Sequence, residues 1–137
     1  MIVLDTSVIT KWFKPDEKSP LADFYLDEHA AGRNPIFVPA LLLYEITNAL
    51  RYSSKLKASE ANQAFEALMQ TKITYVSPDK QLLSDAFSIS EKVSISTYDA
   101  SYVALAIRLK CPLITADKKL VDKAKLLADI IFLQNEP

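Results

Sequence analysis

The chain has 137 residues, half of them hydrophobic and 24% charged, the balance of a globular domain long enough to bury a core. Sixteen basic against seventeen acidic side chains leave a formal charge of −1, so no overall positive field draws in a polyanion. One cysteine, Cys111, excludes an internal disulfide and fits a reducing compartment, while the lone His29 has no companion for a zinc site or a Ser–His–Asp triad.

Met1 to Leu4 is a short apolar run that predicts a buried first strand ending at Asp5. Thr6 or Ser7 can cap a short helix running through Phe13, and Lys14 to Pro20 reads as a turn. A helix is expected over Leu21 to Ala31, stopped by Gly32, the only glycine in the chain. Ile36 to Val38 predicts a second strand, and Pro39 the opening of a helix over Ala40 to Ser53. Leu41, Leu42, Leu43, Ile46, Ala49 and Leu50 wrap that helix in apolar surface, and Leu43 with Tyr44 points to a contact in a homodimer. Ser59 to Thr71 predicts another helix with Ser59 as its cap, followed by a strand at Ile73 to Val76 and a helix from Asp79 to Lys92.

The stretch from Ser96 to Leu120 carries the most information. Ala100, Val103, Ala104 and Ile107 recur at i, i+3, i+4, i+7, one apolar helix face behind a Thr97 cap. Pro112 to Thr115 suits a strand covered on both faces, with Cys111 as a small buried neighbour. Asp117 follows at its carboxyl end, then a lysine-rich helix to about Ala128 and a last strand at Ile130 to Leu133. Strands alternate with helices and no linker or repeat divides the chain, which predicts a single α/β domain over residues 1–137. Its sheet is expected to be mainly parallel, with helices on both faces. Asp5 inside the first apolar run and the lack of a small-residue cleavage site argue against a signal peptide. No apolar stretch approaches the roughly 20 residues that cross a bilayer, so a cytoplasmic protein is expected.

Four acids stand out. Asp5 and Asp117 end strands, Asp99 starts a helix, and Glu45 is the one acid in an otherwise apolar helix. If the first and fourth strands are neighbours, Asp5 and Asp117 lie side by side at the carboxyl edge, where open α/β sheets bind ligands. Clustered carboxylates repel one another until protonated or bridged by a hard cation, and Mg2+ or Mn2+ suits such oxygen ligands. Ser7 and Thr115 can bond to the carboxylates or to a substrate phosphate, and Asn48 can orient Glu45 from three residues on. Each residue also has a purely structural role open to it. Asp99 and Asp117 favour helix starts, Asp5 suits a turn, Ser7 and Thr115 can cap, and Glu45 can pair with Arg51. Lys118, Lys119, Lys123 and Lys125 form a solvated face that can also grip a phosphate backbone beside Asp117.

The segments MIVLDTSVI, PALLLYEITNAL and YDASYVALAIRLKCPLITADKKL, spanning nearly the whole chain, resemble the PIN-domain family and within it the small VapC-type toxins. The resemblance implies a three-layer α/β/α fold around a central, mainly parallel sheet of about five strands. It also implies endonucleolytic cleavage of RNA dependent on Mg2+ or Mn2+. By motif position Asp5, Glu45, Asp99 and Asp117 are the catalytic, metal-binding acids, and Ser7 and Thr115 match the accompanying hydroxyls. Homodimers and a small cognate VapB-like antitoxin are expected by the same resemblance. Lys110 departs from the family, which more often has glycine there.

The competing classes are a non-catalytic PIN-like scaffold or partner-binding module and a non-toxin RNA-processing nuclease. A receiver-like signalling domain needs its acceptor aspartate at the end of a middle strand, where Glu45 to Lys57 reads as helix. A haloacid-dehalogenase-type phosphatase needs an aspartate two residues after the first, where Ser7 stands.

Overall fold

The computed structural model of the protein describes residues 1–52 and 56–134. Its strands are β1 (Ile2–Leu4), β2 (Ile36–Pro39), β3 (Thr74–Val76), β4 (Leu113–Thr115) and β5 (Ile130–Phe132). Its helices are α1 (Thr6–Ile9), α2 (Pro20–Ala30), α3 (Leu42–Tyr52), α4 (Ala58–Gln70), α5 (Lys80–Val93), α6 (Thr97–Leu109) and α7 (Lys118–Ala124). The strands form one parallel sheet in the order β3-β2-β1-β4-β5, with helices on both faces. This is the three-layer α/β/α arrangement implied by the sequence resemblance.

β1 sits at the centre. Ile2 pairs with Ile36 and Val3 with Phe37 on one side, while Val3 pairs with Leu113 and Leu4 with Ile114 on the other. Every residue of β1 and β4 is buried, which is why these strands read as unbroken apolar runs. The long α6 packs on α5 and lies against β1, β2 and β4, burying Ala100, Tyr102, Val103, Ala104, Leu105 and Ala106. From β1 the chain steps outward to β2 and β3, then returns past β1 to β4 and β5. The reversal between β1 and β4 opens the crevice used by ligands in such sheets, and Asp5 and Asp117 follow those two strands directly.

Local chemistry fixes most boundaries. Ser19 caps α2, its hydroxyl accepting from the Ala22 amide at 3.3 Å ahead of Pro20, and Asp79 caps α5 by accepting from Leu82 at 2.8 Å. Gly32 takes φ +73° just past α2, as its position predicts. Lys72, Ser94 and Lys110 adopt the same left-handed conformation, with φ of 56°, 55° and 52°, at helix ends that have no glycine. His29 links three elements. Its Nδ1 accepts from the Ile36 amide at 3.0 Å, so Nε2 carries the proton donated to the Thr71 carbonyl at 2.7 Å. Cys111 is half-buried, and burial pushes its thiol pKa up, away from a reactive thiolate.

Some boundaries differ from expectation. Pro39 closes β2 instead of opening a helix. The β1 pairing stops at Val3 with Phe37, so proline's missing N–H falls past that ladder. The α6 cap is Ser96, not Thr97, because Ser96 has extended backbone and accepts from the Asp99 amide at 3.0 Å. α4 starts at Ala58, with the Glu60 carboxylate accepting from the Lys57 amide, which leaves Ser59 inside the helix. The helix after Asp5 lasts one turn before a 3-10 turn at Thr10–Trp12, and α7 stops at Ala124. Ser53, the expected end of α3, lies outside the described residues. Among the described residues no helix is long and apolar enough to cross a membrane.

Candidate active site

Asp5 occupies the N-cap position of α1 but makes no side-chain cap bond with the helix amides. Its carboxylate turns to two hydroxyls instead: Ser7 donates to Oδ1 and Thr115 to Oδ2, each at 2.5 Å. The amides of Ala116 and Asp117 donate in turn to Ser7 Oγ and Thr115 Oγ1, at 2.8 and 3.0 Å. Adjacent parallel strands make this possible, since β1 in register with β4 brings residues 5–7 beside residues 115–117. Asp5 is 6% exposed, and burial pushes its pKa up to about 6 despite the hydroxyl bonds and the nearby Val8 amide; the charge of Asp99 adds to the rise.

Glu45 projects from the first turn of α3 and is half-buried. Thr6 donates to its Oε1 at 2.9 Å and Tyr102 to the same oxygen at 2.5 Å, while the two hydroxyls lie 3.0 Å apart. Burial is the main cause keeping the Tyr102 hydroxyl protonated, reinforced by the Glu45 charge and bond. Asp99, in the first turn of α6, has its pKa raised by partial burial and then by the charges of Asp117 and Glu45. Asp117 caps α7, accepting from the amides of Lys119 and Leu120 at 3.0 and 3.3 Å.

The structure therefore brings Asp5, Glu45, Asp99 and Asp117 near enough for their charges to act on one another at the carboxyl edge of the sheet. The capping role weighed for Asp117 and the cluster role are both present in one side chain. Ser7 and Thr115 are at the site as expected. Asn48 is not: it is exposed one turn along α3 and gives no bond to Glu45, whose orientation comes from Thr6 and Tyr102. Arg51 does not pair with Glu45 either and instead lies over the Tyr52 ring at 5.2 Å. Of the lysines, Lys123 donates to the Ser94 carbonyl and Lys118 lies 3.7 Å from Asp122, while Lys119 and Lys125 face solvent.

Thr6 and Tyr102 escaped sequence reasoning. Thr6 reads as a cap, and Tyr102 as one more member of a greasy helix. The available signal was a hydroxyl tip three residues after Asp99, on the same face of α6.

No lysine or arginine pairs with any of the four acids among the described residues. Half-buried carboxylates without countercharge are the donor chemistry that hard divalent cations satisfy. No three of the described acids converge tightly enough to enclose an ion alone.

The PIN-domain family model matches residues 2–126. Ribonuclease VapC3 of Pyrobaculum aerophilum is 30% identical over 126 residues, covering 89% of this chain and 93% of the relative. Among solved structures, FitAcB from Neisseria gonorrhoeae superposes with a TM-score of 0.70 at 19% identity, covering 97% of both chains. A toxin-antitoxin complex from Klebsiella pneumoniae gives 0.71 at 12% identity, covering 96% of both. Those likenesses show the fold, and the match along the sequence carries the family: the chain belongs to the PIN-domain family, in its VapC type.

Proposed function

We propose that this protein is an endoribonuclease of the VapC type that hydrolyses RNA phosphodiesters with Mg2+ or Mn2+ held by Asp5, Glu45, Asp99 and Asp117. The observation that carries it is the unpaired cluster of four acids at the β1/β4 crevice, two of them held by hydroxyls. When bound, the cation supplies a water nucleophile at neutral pH and offsets charge developing on the phosphate. Asp5, fixed on both oxygens by Ser7 and Thr115, is the rigid ligand at the floor. Glu45 approaches from α3, and Asp99 and Asp117 from the first turns of their helices. Substrate contact falls to the exposed Lys119, in the first turn of α7 directly after Asp117, with the exposed Lys125 at the far end of that helix. RNA is the substrate class, and a cytoplasmic setting belongs with it.

A small VapB-like antitoxin as partner is supported by the likeness to the Klebsiella toxin-antitoxin complex. A homodimer is supported by an apolar cavity of about 420 Å³ between α5, α6 and the end of β2, bordered by half-exposed Leu83, Phe87 and Tyr98. No charged side chain lines it, so a nucleic acid does not suit it, whereas a protruding apolar knob beside a hollow suits a second copy across a two-fold axis. The contact expected at Leu43 and Tyr44 on α3 stands as a second candidate face, with Tyr44 exposed.

The deciding experiment is cleavage of end-labelled RNAs and single-stranded DNAs with Mn2+, Mg2+ or EDTA, by the parent and by Asp99→Asn. RNA cleavage that needs metal and is lost in the variant is expected. Metal binding with no cleavage of any RNA would favour a non-catalytic partner-binding module.

A further inference from the structure

Every described carboxylate of the cluster is held differently. Asp5 has a hydroxyl on each oxygen, and Asp117 spends Oδ1 on the amides of α7. Glu45 is the asymmetric one. Thr6 and Tyr102 both donate to Oε1, and Oε2 takes no hydrogen bond from any described residue. The two donors are unequal. Thr6 carries a small hydroxyl beside the crevice, and its oxygen lies 3.0 Å from that of Tyr102. Two hydroxyl protons serve three oxygen–oxygen contacts, so one contact is always without a proton. Either hydroxyl can turn its proton to the other by rotating one bond, but the Tyr102 oxygen is held in place by its buried ring. Its ring is 1% exposed within the buried run of α6, three residues from Asp99 and one turn along the same helix.

We propose that Tyr102 is a positioning residue for Glu45, its hydroxyl gripping Oε1 so that Oε2 is presented to the cation site, with the Thr6 hydroxyl as an adjustable second donor. The inference rests on the metal-dependent reading above and adds to it the group that sets the geometry of one ligand. Because Asp99 and Tyr102 stand on one rigid helix, the grip also ties α3 to α6, so Glu45 and Asp99 keep a fixed separation. Hydrogen bonds that orient ligating carboxylates typically cost 10–100-fold in metal affinity when removed.

The test is calorimetric titration of Mn2+ into parent, Tyr102→Phe, Glu45→Gln and the double variant, with urea unfolding of each in EDTA. Tyr102→Phe keeps the ring and removes only the hydroxyl. It is expected to weaken Mn2+ binding about tenfold, with no further loss when added to Glu45→Gln. Thr6→Val, which leaves the Tyr102 bond in place, is expected to weaken binding less. Unchanged affinity in Tyr102→Phe, or the same loss in the Glu45→Gln background, overturns the proposal. So does a Tyr102→Phe protein that fails to fold, which assigns the hydroxyl to structure alone. Failure of the parent to bind Mn2+ instead removes the metal reading itself, and this inference with it.

Discussion

Replacing Asp5 with asparagine should make the metal-free protein more stable while abolishing its activity. The carboxyl is nearly buried and its pKa stands at about 6 against an ordinary 3.8. At about 1.4 kcal/mol per pH unit, keeping Asp5 charged above that pH costs the fold about 3 kcal/mol. Asparagine has the same shape and no charge. It accepts from one of the two hydroxyls, Ser7 or Thr115, and meets the other with an NH2 group, a mismatch worth about 1 kcal/mol. The net gain is about 2 kcal/mol at about pH 7. For a domain of this size that is a rise in melting temperature of about 4–8 °C. The sign follows from proton counts. Between 3.8 and about 6 the folded parent holds more protons than the unfolded chain, so its stability falls as pH rises through that window. The variant lacks this slope, and its advantage disappears below about pH 4, where Asp5 is protonated in both states. Urea unfolding in EDTA across this range measures both quantities. A variant less stable than the parent near neutral pH, with the parent's slope unchanged, would refute the burial cost. Added Mn2+ should reverse the order, because a cation that binds only the folded parent stabilises it by mass action.

Lys110→Gly should raise stability by about 0.5–1 kcal/mol, since φ 52° strains a residue with a Cβ and the gain is partly offset by the looser unfolded chain; a lower urea midpoint would contradict this. His29→Ala should cost about 1–2 kcal/mol by stranding the Ile36 amide and the Thr71 carbonyl, and should speed hydrogen exchange at Ile36. Phe87→Glu should convert a dimer to a monomer in sedimentation without loss of fold, because that ring is 61% exposed at the apolar cavity. A monomeric parent would remove the α5–α6 contact from the account.

The acids were legible in the sequence because each stands at a local landmark. A strand's apolar run stops at Asp5, another just before Asp117, and Asp99 follows a helix cap. Their gathering depended on one further inference, that β1 neighbours β4, which alternating strands and helices allow but do not force. What holds the acids was not legible. Thr6 and Tyr102 reach Glu45 across 39 and 57 positions, and Thr115 reaches Asp5 across 110. Periodicity reports neighbours three or four apart and carries nothing about such pairs. Asn48 was the local guess for a job done from far away. Pro39 misled for a similar reason. Proline at a helix start and proline at a strand's end look alike until the register to β1 is known.

The long reach between Asp5 and Thr115 has a consequence for how the protein is made. Chains grow from the amino end, and domains fold largely in that order during synthesis. Asp5 leaves the ribosome well ahead of the hydroxyl that fixes its second oxygen and the strand that buries it, which come more than a hundred residues later. Until β4 has emerged, Asp5 stands in water as an ordinary carboxylate with Asp99 and Asp117 nowhere near. Until residues 113–117 have emerged, the nascent chain is therefore without its assembled acid cluster, close as it is to RNA throughout. The cluster comes into being only once β4 has emerged and paired with β1.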